Sequence, residues 1–134
     1  MNRARRGLQI LLGVVYAAAG ILHLVFPEPF LGIMPHWVKA PEAAVAITGI
    51  AELAGAAGLL QERSRALRQA AGAGLALYAV GVFPANIQHF ANDLARADQG
   101  LGLGYHIPRL LAQPVIAWAA LWAGGVTDWP FRRR

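Results

Sequence analysis

A few polar side chains lie within long apolar stretches of this chain: the carboxyl of Glu52, the imidazoles of His23 and His89, the guanidinium of Arg109, and the neutral groups of Thr48, Asn86 and Gln113. A carboxyl and an imidazole in apolar surroundings can act together as a general acid and base, which makes Glu52 and His23 the candidate catalytic pair. Histidine and arginine can instead hydrogen-bond a carbonyl or anionic oxygen while apolar walls accept a tail, and on that reading all seven residues are candidate ligand-binding groups. His23, Glu52, His89 and His106 are of metal-ligating types, but no pair has a recognised metal-binding spacing, so the sequence assigns no metal site.

The elements that must carry these groups are set by the surrounding solvent, and the composition identifies it. Of 134 residues, 57% are hydrophobic and only 14% are charged, whereas a soluble domain is roughly a quarter charged. Four apolar runs, 8–26, 43–60, 67–90 and 107–126, each approach the roughly 20 residues that cross a bilayer as a helix. The expected fold is therefore all-α: a single domain over 1–134, forming a transmembrane four-helix up-and-down bundle with short connections. The fourth run is the weakest, because Arg109 and Gln113 fall in its first turns. The basic start MNRARR before the first run would suit a signal peptide, but bulky LHLVFPEPF stands where small residues would mark cleavage, so a retained span is expected.

Basic residues give the orientation. Arg3, Arg5 and Arg6, the gap residues Arg63, Arg65 and Arg68, and the tail residues Arg132, Arg133 and Arg134 make up nine of the 12 lysines and arginines. Cytoplasmic segments retain positive charge, so both termini are expected in the cytoplasm and the connections 27–42 and 91–106 outside, in a multi-pass protein of a bacterial inner membrane. The pI near 10.8 is then a topology signal, and no nucleic-acid partner is expected. Absence of cysteine excludes thiol-disulfide chemistry by this chain, and no Walker, dinucleotide-binding, EF-hand, HExxH or GxSxG pattern is present.

Counted from the outer boundaries, the polar groups collect in one half of the membrane. His89 and His106 fall at the outer surface, His23, Asn86 and Arg109 roughly 5 Å deep, and Gln113 and Glu52 roughly 10 to 14 Å deep at the rise of a helix. An outward-opening pocket with Glu52 toward its floor is expected, and Pro84, which removes a helix hydrogen bond, should free the Val80 carbonyl beside it. Each group also has a structural alternative: Glu52 as helix glue paired with His23 or Arg109, Asn86 bonding freed backbone, Arg109 reaching out to the interface. Small residues at 17–20, 49–58 and 70–81 should bring helices together, within one chain or between copies.

The stretches AGILHLVFPEPFLGIMPHW, ITGIAELAGAAGLL, VFPANIQHF and RLLAQPVIAW, taken in order, resemble the DoxX-like family of small four-helix integral membrane proteins. The resemblance implies a bundle with a pocket near His23, Glu52, Asn86 and Arg109, and an accessory role in membrane redox systems linked to quinones. It does not carry over the thiol chemistry of some relatives, since this chain has no cysteine. The expected function is binding of a quinone or another lipophilic small molecule. The alternatives are a membrane enzyme performing acid–base chemistry on a lipophilic substrate, and an assembly or chaperone-type protein that docks on membrane partners or on its own copies.

Overall fold

The computed structural model describes residues 3–131, and Arg132, Arg133 and Arg134, used above for orientation, lie outside them. The described residues are helical without a strand: α1 Arg3–Val25, α2 Glu28–Leu31, α3 Pro41–Leu60, α4 Arg65–Gly81, α5 Phe83–Leu94 and α6 Leu103–Gly124. Three stretches are long and apolar enough to cross a membrane: Arg3–Val25, Pro41–Leu60 and Arg65–Leu94. Helix α6 has the length but is less apolar, since it contains His106, Arg109, Gln113, Pro108 and Pro114.

The third expected span, 67–90, is two helices rather than one. Pro84 has no N–H, and its ring opposes the carbonyl four residues earlier, so α4 ends at Gly81 and a new helix begins at Phe83 with proline in its first turn. Tyr78 O accepts from Val82 N–H at 2.9 Å, and Val82 O in turn accepts from Ala85 and Asn86. Helix α5 then continues past the expected end to Leu94, which places Asp93 on a helix instead of in a loop.

Local signals account for other boundaries. Ser64 caps α4 by accepting the Leu67 N–H at 3.2 Å. Gly125, at φ 78, ends α6 in the left-handed conformation, with Val126 N–H reaching back to Leu121 O at 2.9 Å.

Small residues set how closely the helices approach. A Cβ placed on Gly20 would lie 2.7 Å from Gly49 O, and one on Gly13 would enter the Leu60 side chain, so α1 runs antiparallel to α3. A Cβ on Gly72 would lie 2.7 Å from Ala120 O and 2.8 Å from the Gly124 Cα. Gln113 donates to Ala79 O at 3.2 Å further along, so α6 runs antiparallel to α4. Backbone contact of this kind is how helices associate where lipid offers no hydrophobic drive.

The outer surface is far more apolar than that of a soluble bundle, around a core that includes Leu12, Tyr16, Leu59 and Leu75. Large apolar residues such as Leu11, Val14, Ile47, Leu77, Val80 and Leu111 are exposed, whereas Gln9, Glu52, Asn86, Asp93 and His106 are buried. At the end carrying the chain terminus, Gln9 donates to Ala123 O at 2.7 Å, and Arg5 and Arg6 pair with Asp128 and Glu62.

The α4–α6 contact gives a controlled test. Alanine at Gly124 would put its Cβ 2.7 Å from the Gly72 Cα, which cannot yield without parting α4 from α6, whereas alanine at Gly74 meets nothing within 4 Å. Thermal unfolding in one mild detergent should show Gly124→Ala destabilised by about 1–3 kcal/mol and Gly74→Ala unchanged or more stable by up to about 1 kcal/mol. Equal melting of the two variants would contradict this packing.

Candidate functional site

One cavity of about 540 Å³ opens among α1, the 27–40 connection, α3, the α4–α5 junction and α6. Its lining includes His23, Thr48, Glu52, Asn86, Arg109 and Gln113, six of the seven residues singled out as ligand-binding candidates. His89, the seventh, does not line it; its Nδ1 accepts a hydrogen bond from Arg109 at 3.0 Å.

Glu52 is the most constrained group. It lies on α3 one turn beyond Thr48, is 4% exposed, and accepts the Tyr78 hydroxyl on Oε1 at 2.7 Å. Its other oxygen, Oε2, lies 2.9 Å from His23 Nδ1. The same nitrogen lies 2.9 Å from Ala19 O. A carbonyl can only accept, so Nδ1 carries a hydrogen and directs it to the helix backbone. Glu52 Oε2 therefore faces a polarised N–H yet receives no aligned hydrogen bond.

The remaining walls are mostly apolar and aromatic, with a few polar groups. Phe30 of α2 stacks on His23 with ring centroids 3.6 Å apart, and Tyr16 meets Tyr78 edge-on at 6.1 Å. Thr48 turns its hydroxyl back to Val45 O at 2.8 Å. Gln113 is held by Ala79 O, and Asn86 is 7% exposed. Among the described residues the Asn86 side chain forms no hydrogen bond, so it does not bond backbone freed by Pro84; the helix breaks there, and its amide is left to the cavity. Glu52 pairs with His23 and not with Arg109.

Three contributors were missed from sequence. Tyr78 resembled any aromatic in an apolar run, and its hydroxyl finds Glu52 only through the register of α3 against α4. Phe30 lies in a four-residue helix that no periodicity announces. Asp93 had a signal, since it follows His89 by four residues and so shares its helix face.

His106 is buried at 1% exposure. The reason is the connection before α6: Gln99, Gly100 and Gly102 have positive φ, and the turn they form sends Leu101 N–H to Asp93 Oδ2 at 2.9 Å. Helix α6 then starts at Leu103 and carries His106 inward, its Nε2 2.8 Å from Asp93 Oδ2. In the same turn, Arg96 grips Asp98 through both carboxylate oxygens at 2.9 Å; this pair, with the Gly100 N–H, holds the Asp98 carboxyl well below the usual carboxylate range. The four residues considered as metal ligands thus divide, with His23 against Glu52 and His89 and His106 meeting at Asp93.

A family model described as a domain of unknown function (DUF8561) matches residues 12–123, a stretch that includes every residue lining the cavity, and the chain belongs to that family. No curated protein and no solved structure matches it.

The Tyr78 contact yields a stability test. Tyr78→Phe leaves buried Glu52 Oε1 without its donor and should lower unfolding stability in detergent by about 1–3 kcal/mol. Tyr16→Phe removes a hydroxyl that is not bonded to Glu52 and should change it less. A Tyr78→Phe protein as stable as the wild type would show that the hydroxyl does not satisfy Glu52.

Proposed function

We propose that this protein is a multi-pass protein of the bacterial inner membrane, a four-helix up-and-down bundle with both termini in the cytoplasm, whose cavity opens outward and binds an amphiphilic small molecule of the quinone class. It serves as an accessory subunit beside membrane redox proteins, in keeping with the resemblance to DoxX-like proteins. The observation that carries this reading is the convergence of His23, Glu52, Asn86 and Arg109 on one mostly apolar cavity. A cavity of about 540 Å³ is within the range of small-molecule sites. Arg109 can donate to a ligand carbonyl, the Asn86 amide can bond a ligand hydroxyl, and the apolar walls accept a tail.

The antiparallel pairings of α1 with α3 and α4 with α6, and the exposure of large apolar side chains, support the membrane bundle. Basic residues at one end support its orientation. The bilayer is the first partner; a redox protein or a second copy is the other.

A second reading has its own observation. Tyr78, Glu52 and His23 are linked by contacts of 2.7 and 2.9 Å, an arrangement suited to acid–base chemistry on a lipophilic substrate. That reading expects turnover to be lost in both Glu52→Gln and His23→Ala while the proteins stay folded.

Mass spectrometry of an organic extract tests the leading reading, using protein purified in mild detergent from its native membrane. The expected result is a lipophilic molecule at about one per chain in the wild type, depleted several-fold in Glu52→Gln. An empty wild type, or equal retention by the variant, overturns it and leaves the polar cluster as helix glue in an assembly protein.

A further inference from the structure

Away from the cavity wall, α5 and the start of α6 bring together an imidazole, a carboxylate and a second imidazole. The ligand atoms of His89, Asp93 and His106 all lie within 4.8 Å of one another. His106 Nε2 is 2.8 Å and His89 Nε2 3.6 Å from the same oxygen, Asp93 Oδ2. We propose that these three residues form a binding site for a first-row divalent metal ion of the zinc class, with two imidazole nitrogens, one carboxylate oxygen and a fourth position open to water or another ligand.

The donor set and its spacing support the assignment. Ligands about 2.0–2.2 Å from a tetrahedral ion lie about 3.3 Å from each other, and the two distances to Asp93 bracket that value. Hydrogen bonding alone accounts poorly for the cluster. Asp93 Oδ2 already accepts the Leu101 N–H at 2.9 Å, so two imidazole N–H groups would crowd onto one oxygen. A metal ion in place of the two protons lets both rings and the carboxylate converge without competing.

The site is built rather than incidental. Residues 89 and 93 are one turn apart on α5, and the turn before α6 closes over Asp93 so tightly that a Cβ on Gly100 would lie 2.2 Å from its carboxyl carbon. Phe90 covers the His106 ring at 5.2 Å.

Arg109 is the competing cation. It donates to His89 Nδ1 at 3.0 Å, which requires the proton on Nε2, the atom the metal needs. A metal on Nε2 moves that proton to Nδ1, where it would oppose the guanidinium N–H. Arg109 must then turn away, and the cavity it lines provides the space. Metal occupancy and the Arg109 to His89 bond therefore exclude each other.

Titration with Co2+ tests the site without reference to what the cavity holds. Tag-free protein in mild detergent, stripped by a chelator, should bind one Co2+ per chain with the visible absorption of a four-coordinate ion, and Zn2+ should displace it. His89→Ala, at a half-buried position, and Asp93→Asn should each weaken binding at least about 100-fold, more than the loss of a supporting residue does. Arg109→Gln should tighten it several-fold. A wild type that binds no stoichiometric Co2+, or binding unaffected by both His89→Ala and Asp93→Asn, overturns the site. Unchanged or weaker binding in Arg109→Gln overturns the competition. Because the readout is the bare ion, an empty organic extract and a failed titration are separate results.

Discussion

The close approach of α1 to α3 is the constraint on which the cavity depends. At Gly20 and Gly49 the two backbones are near enough that neither position has room for a side chain, and a Cβ on Gly49 would lie 2.8 Å from that of His23. With the helices held there, the His23 ring reaches Glu52 across the interface, one turn beyond the contact. Wider spacing would leave a carboxyl in apolar surroundings without its imidazole. Such isolation is costly, because a buried charge needs a partner or must be neutralised. Glycines with no chemistry of their own thus determine which polar groups can meet.

The α4–α6 pair repeats this logic at the opposite wall. Gly72 and Gly124 bring the backbones together, and from that contact Gln113 reaches Ala79 O further along. Between these two tight pairs lies the looser region where the cavity forms, with Phe30 stacked on the His23 ring in its lining. Neighbouring helices thus enclose a space of ligand size while the outer surface stays apolar.

Much of the fold was legible because its signals are one-dimensional. Length and apolarity place α1, α3 and the α4–α5 stretch, and the sparse polar residues in them indicated that His23, Glu52, Asn86, Arg109 and Gln113 belong to one region. What stayed hidden depends on register and loop geometry. Tyr78 meets Glu52 only once α3 and α4 have set their relative offset. The burial of His106 was hidden because nothing in its neighbourhood reveals that the 95–102 turn folds back over Asp93. The break at Val82 was half visible: Pro84 announced a lost hydrogen bond, but a kink and a fresh start leave the same mark in sequence.

That fresh start makes α5 a short shaft of its own, with no continuous hydrogen-bond ladder joining it to α4. Its residues 86, 89 and 93 recur every three or four positions, so one stripe along it carries Asn86 at the cavity and His89 and Asp93 at the second cluster. A small roll of this shaft about its long axis would swing all three together. The cavity and the second cluster therefore share one helix, and a displacement of α5 would be felt at both.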